Sequence, residues 1–345
     1  MILFLRNATI VDIFICLYIK YSYKIILEVI VMNIYTNKQR VIISTVTLIL
    51  LLIFILTNYT AFFMEDSFNT ISFVLSIIAC IISCILFAIK IESNNKFNEL
   101  LTMLSFILSI IFSYIIVELL NQNIPFLLYS KRLIFNFIII IFLHLFIYAI
   151  SNKVSLSILL SNLIIFILGA VNYTVTCFRG TPLVPWDILS IKTAAYVAGS
   201  YSFSLSYYFI LATSLLSLIL SIGLKINYQF KNKKLNLVFR FIILLIILFF
   251  TIVFYKTNII TYFDFENNLW RPMDEYSNNG FLASFVKQSK NLFNEEPENY
   301  SIQEIKNILH EFETENTIPK NISSNDKPNI IVIMSESYCD LSVNR

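Results

Sequence analysis

Val41-Ile42-Ile43-Ser44-Thr45-Val46-Thr47-Leu48-Ile49-Leu50-Leu51-Leu52-Ile53-Phe54-Ile55-Leu56 is an apolar run that continues to Phe63 without a charged residue. A helix needs about 20 such residues to cross the hydrocarbon core of a bilayer. The run is long enough. Similar stretches follow at Ile71–Ile89, Leu100–Leu120, Leu133–Ile150, Val154–Val171, Phe203–Leu224 and Phe241–Tyr255. They predict a polytopic α-helical membrane domain of about seven spans over residues 41–255, the last span being short enough to borrow residues on either side. Hydrophobic residues make up 57% of the 345 and charged residues 14%, with a mean hydropathy of +0.76. A bilayer rather than an aqueous globular core therefore organises most of the chain.

The net charge of +3 gives no basis for a nucleic-acid partner; the placement of the cations is the informative part. With the amino end inside, the loops on that side carry Lys38, Arg40, Lys90, Lys96, Lys153, Lys225, Lys231, Lys233, Lys234 and Arg240. The opposite loops carry Glu65 and Asp66, then Lys131, Arg132, Arg179 and Lys192. Ten cations against four place the amino end in the cytoplasm and everything after Tyr255 outside. Lys131 and Arg132 break the rule, and snorkelling or a lipid phosphate contact is the reading open to them.

Residues 1–40 read as a cytoplasmic leader. The first 31 are interrupted by Arg6, Asp12, Lys20, Lys24 and Glu28 and lack a signal-peptide cleavage site, so translation is expected to begin at Met32. Cys80 and Cys84 lie one helical turn apart inside a span and read as packing residues, and Cys177 with Cys339 is too few thiols for a disulfide framework. His144 in the fourth span reads as bonded to a neighbouring helix rather than catalytic. The outer loop 172–202 contains Pro182, Pro185 and Trp186, which forbid a regular helix and suit the membrane interface. Residues 256–327 read as an external linker. Within it Ser301-Ile302-Gln303-Glu304 is a capping box, with Ile302, Ile305, Ile308, Leu309 and Phe312 at helical spacing behind it.

After the polar stretch Asn321–Asp326, Pro328-Asn329 leads into Ile330-Ile331-Val332-Ile333-Met334, a β-branched apolar run of the kind that forms a buried parallel strand. Ser335-Glu336-Ser337 stops it. An acidic residue at the carboxyl end of a first strand sits where open α/β sheets place ligands; spacing alone equally fits a carboxylate in the first turn of a helix. Residues 328–345 are thus the expected start of an incomplete α/β domain.

Three blocks resemble, in order and spacing, the lipoteichoic-acid-synthase-like membrane proteins of the alkaline-phosphatase and sulfatase superfamily. They are Phe178-Arg179-Gly180-Thr181-Pro182-Leu183-Val184-Pro185-Trp186-Asp187-Ile188-Leu189-Ser190 with Thr193-Ala194-Ala195 and Val197-Ala198, then Asn279-Gly280-Phe281-Leu282-Ala283-Ser284-Phe285 leading to Pro297-Glu298-Asn299-Tyr300-Ser301, then Lys327-Pro328-Asn329 running through Glu336-Ser337. The resemblance implies an enzyme of a bacterial cell membrane with an extracellular sulfatase-like domain. Such an enzyme moves glycerol phosphate from phosphatidylglycerol to a cell-envelope polymer or glycolipid. It also implies a divalent metal, manganese or magnesium, with Glu336 as its first ligand. A threonine nucleophile and an Asp-His pair are expected beyond Arg345, and residues 1–345 alone are expected to show no turnover. Arg179, Trp186 and Asp187 are candidates for holding a lipid headgroup or docking the catalytic domain. The alternatives are a non-catalytic membrane stub, a transporter, or a sulfatase or phosphoethanolamine transferase. Transport is disfavoured by spans nearly free of Gly and Pro, with Glu118 the clearest intramembrane carboxylate and placed near a span end.

Overall fold

The computed structural model describes residues 33–64, 67–92, 95–124, 128–190, 205–226, 232–268, 270–292 and 301–315. Among them the chain is mostly helical, with apolar helices α1 (Lys38–Thr57), α2 (Thr70–Ala88), α3 (Asn95–Leu120), α4 (Ser130–Ser151), α5 (Val154–Arg179), α6 (Tyr207–Gly223) and α7 (Lys233–Lys256). Six are long and apolar enough to cross a membrane, the pattern of a multi-pass membrane protein, and α6 is shorter at 17 residues.

Asparagines start several of these helices. Asn37, Asn69 and Asn232 each accept a backbone N–H of the first turn of α1, α2 and α7 through Oδ1, satisfying donors that a helix leaves open. Two helix ends depart from the sequence reading. α5 continues to Arg179, two turns beyond Val171, so Asn172, Cys177 and Arg179 lie on helix and not in a loop. Asn172 looked like a span end, but both polar ends of its side chain find partners in the bundle. α7 begins at Lys233, eight residues before Phe241, and Arg240 within it reaches the end of α4 instead of stopping the helix.

Helices α3, α5 and α6 pack on one another; α4 lies against α5 and α3, α2 against α6, α1 against α2, and α7 against α4. The α2 face towards this core is a stripe of small side chains: Ser72, Ser76, Ala79, Cys80, Ser83 and Cys84 are all buried. Small residues let membrane helices approach closely where no hydrophobic force drives them together, and Ser83 Oγ donates across to Ser217 O on α6 at 2.8 Å. The two cysteines are therefore packing residues.

One end of the bundle is basic. Lys225 Nζ donates to Ile89 O past the end of α2, and Arg240 donates to Ala149 O at 2.6 Å and Ile150 O at 3.1 Å near the end of α4. Each cation meets carbonyls that its neighbour's last turn leaves unpaired, at the negative end of that helix dipole. The leader contributes β1 (Asn33–Thr36). A short hairpin pairs β2 (Phe63–Met64) with β3 (Ser67–Phe68), and β4 (Ile89–Glu92) pairs antiparallel with β1 in the register Asn33 to Glu92.

At the opposite end, residues read as the beginning of an external linker fold onto the helices. After a 3-10 turn at Ile259–Phe263 come α8 (Pro272–Asn279), α9 (Phe281–Gln288) and a 3-10 turn at Ser289–Leu292. Phe263 and Ala283 join Phe135 and Phe254 in one buried cluster. The compact unit extends to Phe293, and residues from Asn294 form a second unit. In that second unit, α10 (Ile302–Glu315) follows Ser301, whose Oγ accepts the Glu304 N–H at 3.1 Å, as the capping box predicts. Residues 1–32, the strand 330–334 and Glu336 lie outside the described residues.

Candidate functional site

The end of the bundle opposite the basic loops carries a buried polar clamp built from span ends. Glu118, in the last turn of α3, is fully buried; its Oε1 accepts the Phe281 N–H at 2.9 Å and its Oε2 accepts Asn123 Nδ2 at 3.0 Å. Asn136 on α4, also fully buried, grips the same segment from both sides. Its Nδ2 donates to Asn279 O at 2.8 Å and its Oδ1 accepts the Ala283 N–H at 3.0 Å. These side chains satisfy the N–H groups at the start of α9, which an isolated helix would leave open.

Gly280 is the hinge of this arrangement. Its φ of +85° and ψ of 150° lie where essentially only glycine is found, and a Cβ there would stand 2.5 Å from Asn136 Nδ2.

The clamp reaches the Pro182–Ser190 segment. Asn121 Nδ2 donates to Tyr276 O at 3.3 Å while its Oδ1 accepts Asn172 Nδ2 at 3.1 Å. Asn172 Oδ1 accepts the Leu183 N–H at 2.9 Å, and Tyr276 OH donates to Leu183 O at 3.0 Å. Burial pushes the Tyr276 hydroxyl well above its ordinary pKa, so it stays a donor. Leu183 of the stretch 178–190 is thus bonded to Asn172 and Tyr276, and it shares one buried cluster with Tyr276 and with Phe281 and Leu282 of the stretch 279–285.

Arg179 is the last residue of α5, and Trp186 and Asp187 lie in the 3-10 turn Pro185–Ser190 that follows it. Gly180, at φ +69°, ends that helix in the left-handed conformation. Arg179 then forks onto Asp187, Nη1 to Oδ1 at 2.9 Å and Nη2 to Oδ2 at 2.8 Å, with Nε on Thr181 Oγ1 at 2.6 Å and Nη2 also on Pro182 O at 2.8 Å. The guanidinium does not present a free fork. Asp187 Oδ2 also accepts the Val184 N–H at 3.0 Å, closing the 3-10 turn at Pro185–Ser190, and Trp186 next to it is part exposed.

Lys131 and Arg132, the cations on the wrong side by the charge rule, are accounted for here. Lys131 Nζ meets Asp264 Oδ2 at 2.7 Å. Arg132 donates to Asp264 O at 2.9 Å, Glu266 Oε1 at 3.0 Å and Asn278 O at 3.1 Å. They pin the segment that enters α8. Arg132→Gln keeps a donor but loses the fork, and we expect it to weaken this end by about 1–2 kcal/mol, read as faster amide exchange over 264–279.

The two carboxyls at this surface set its acid limit. The Arg179 fork, aided by the Val184 N–H and opposed by partial burial, holds Asp187 below its ordinary pKa; Arg132 and then Asn278 do the same for Glu266. A depressed folded pKa gives stability that is present above the unfolded value and lost as pH falls through the folded one. Limited proteolysis of the 181–190 and 264–279 segments should therefore be unchanged from pH 7 to about 5 and rise below about 4, near the unperturbed carboxylate values. Asp187→Asn should remove the acid step over 181–190.

His144 has no part in this site. Its Nδ1 lies 2.9 Å from Ile140 O and its Nε2 2.7 Å from Ser109 Oγ on α3, which in turn accepts Asn162 Nδ2 from α5 at 2.7 Å. The carbonyl fixes the proton on Nδ1, and the ring completes a neutral chain joining three helices.

The sequence reading singled out Arg179, Trp186 and Asp187 but missed Glu118, Asn121, Asn136 and Asn172 as clamp residues. Their signal was available as polar side chains near span ends opposite the basic loops. Glu336 lies outside the described residues. Among the described ones no three His, Cys, Asp or Glu side chains stand close enough to hold a metal, so the metal rests on the resemblance of the block at 327–337. Compared with family models, curated proteins and solved structures, the chain matches none.

Proposed function

We propose that this chain is the membrane-embedded part of a metal-dependent transferase of the lipoteichoic-acid-synthase kind, which takes glycerol phosphate from phosphatidylglycerol and passes it to a cell-envelope acceptor. The observation that carries the reading is the meeting of two of the three resembling blocks. At one end of the bundle, Leu183 of the block at 178–190 shares one buried cluster with Phe281 and Leu282 of the block at 279–285, and its backbone is bonded to Asn172 and to Tyr276, three residues before that second block. The charge rule puts that end outside the cell.

In this reading the clamp fixes where the chain leaves the membrane part. Glu118 and Asn136 hold the start of α9, and Lys131 with Arg132 holds the segment before it. The divalent metal, with Glu336 as one ligand, would supply the polarisation of the phosphoryl group. In this reading Glu118, Asn136, Lys131 and Arg132 position and anchor.

The test is made on the full-length protein, reconstituted in vesicles containing phosphatidylglycerol. Manganese- or magnesium-dependent release of diacylglycerol, abolished by Glu336→Gln, is the expected result. Absence of release with either ion, or release unaffected by Glu336→Gln, overturns the assignment.

A further inference from the structure

One face of α5 forms a groove with a built polar end. Ile164, Ile167, Val171 and Val175 recur along that helix at spacings of three and four, and Arg179 ends the same stripe. The chain turns at Gly180 and comes back alongside, so that Leu183, Ile188 and Ser190 make the second wall. The volume of this open groove is about 510 Å³, within the usual range of ligand sites.

The groove is matched to one lipid chain. Ile164 to Arg179 is fifteen residues, or roughly 22 Å at 1.5 Å per residue. That exceeds half of the hydrocarbon core of about 30 Å, so the groove runs from the surface through one leaflet. Its walls are apolar and open to the bilayer, with Ile164, Ile167 and Val171 each exposed by about half and Ile188 by 59%. At the mouth, Arg179 and Asp187 are paired with each other but not sealed; the Arg179 side chain is 44% exposed. Three of its five N–H groups go to Thr181, Pro182 and Asp187 Oδ2 and a fourth to Asp187 Oδ1, leaving one Nη1–H for an acceptor. Asp187, being a carboxylate, accepts. A mouth that donates from one group and accepts at the next is complementary to a phosphodiester carrying hydroxyl donors, which fills both roles through hydrogen bonds.

We propose that this groove seats one glycerophospholipid of the leaflet nearest Arg179, with an acyl chain along Ile164 to Val175 and a hydroxyl-bearing phosphate headgroup over the Arg179–Asp187 pair. The seat goes beyond the transferase assignment and stands without it, since occupancy is measured apart from turnover.

The experiment uses the full chain in phosphatidylcholine nanodiscs containing a minor fraction of phosphatidylglycerol with a diazirine in one acyl chain. After irradiation, crosslinks are mapped by peptide mass spectrometry. Labels should concentrate on 164–175 and 183–190, and unlabelled phosphatidylglycerol should suppress them saturably. Val171→Trp, which fills the groove, should lower them to the level seen on the α7 face around Ile246, whereas Ile246→Trp should change nothing. In wild type, a phosphatidylcholine probe with the same diazirine chain should label the groove less than the phosphatidylglycerol probe, and Arg179→Ala should remove that difference. Labelling of α5 no higher than that of α7, or suppression that only follows dilution, overturns the seat. Equal labelling by the two headgroups in wild type overturns its headgroup half. A labelled groove in a chain that proves inactive as a transferase retains the seat.

Discussion

Replacing Gly280 with alanine is expected to unfasten the α8–α9 segment from the helices. Two penalties act at once. The backbone at φ +85° and ψ 150° costs a non-glycine residue about 1–3 kcal/mol. The new Cβ would meet the Asn136 amide, with Nδ2 at 2.5 Å and both Cγ and Oδ1 at 2.9 Å. Asn136 is held by Arg132 O, Asn279 O and the Ala283 N–H, so it cannot move without leaving buried groups unpaired, at about 1–3 kcal/mol. The sum is about 2–6 kcal/mol, most of that range lying beyond ordinary substitutions. In detergent the variant should melt well below wild type, and its 264–292 segment should become accessible to protease while the bundle remains helical. Melting within a degree or two of wild type would show that the segment tolerates another path into α9.

The second large effect is expected at Glu118. Glu118→Leu fills much of the space but removes the acceptor of the Phe281 N–H and the partner of Asn123 Nδ2. A buried donor left unpaired costs about 1–3 kcal/mol, and a bond to a carboxylate is worth more than a neutral one, so a loss of about 3 kcal/mol is expected. Glu118→Gln keeps the acceptor for Phe281 and turns an amide towards Asn123 Nδ2, a clash of donors that Asn123 resists because it also holds Ser277 O. That variant should lie between wild type and Glu118→Leu. Hydrogen exchange at the Phe281 amide separates the two substitutions, protected in the glutamine and fast in the leucine variant. Equal protection in all three would mean that the carboxylate does not hold α9.

The membrane part was legible in the sequence because a span is a local property. Length and apolarity of one segment decide whether it crosses hydrocarbon, and all seven apolar runs became helices, one of them shorter than a usual span. The same locality explains the capping box at Ser301, since its two partners are three residues apart. Helix ends were harder. Asn172 reads as a loop residue until Asn121 and the Leu183 backbone are placed beside it, and Arg240 reads as a span boundary until the end of α4 is there to receive it.

By itself, then, the sequence determined how many apolar helices form, where the cations collect and which short blocks deserve attention, because each depends on residues within a few positions of one another. Tertiary structure alone decided that residues 259–292 pack on the bundle, that Lys131 and Arg132 serve that segment, and that Arg179 is held by Asp187. Those outcomes depend on hydrogen bonds between residues eight to more than 140 positions apart, as from Arg179 to Asp187 and from Asn136 to Ala283. A buried polar side chain near a span end costs too much to remain unpaired, but which partner satisfies it is fixed only when the helices are packed.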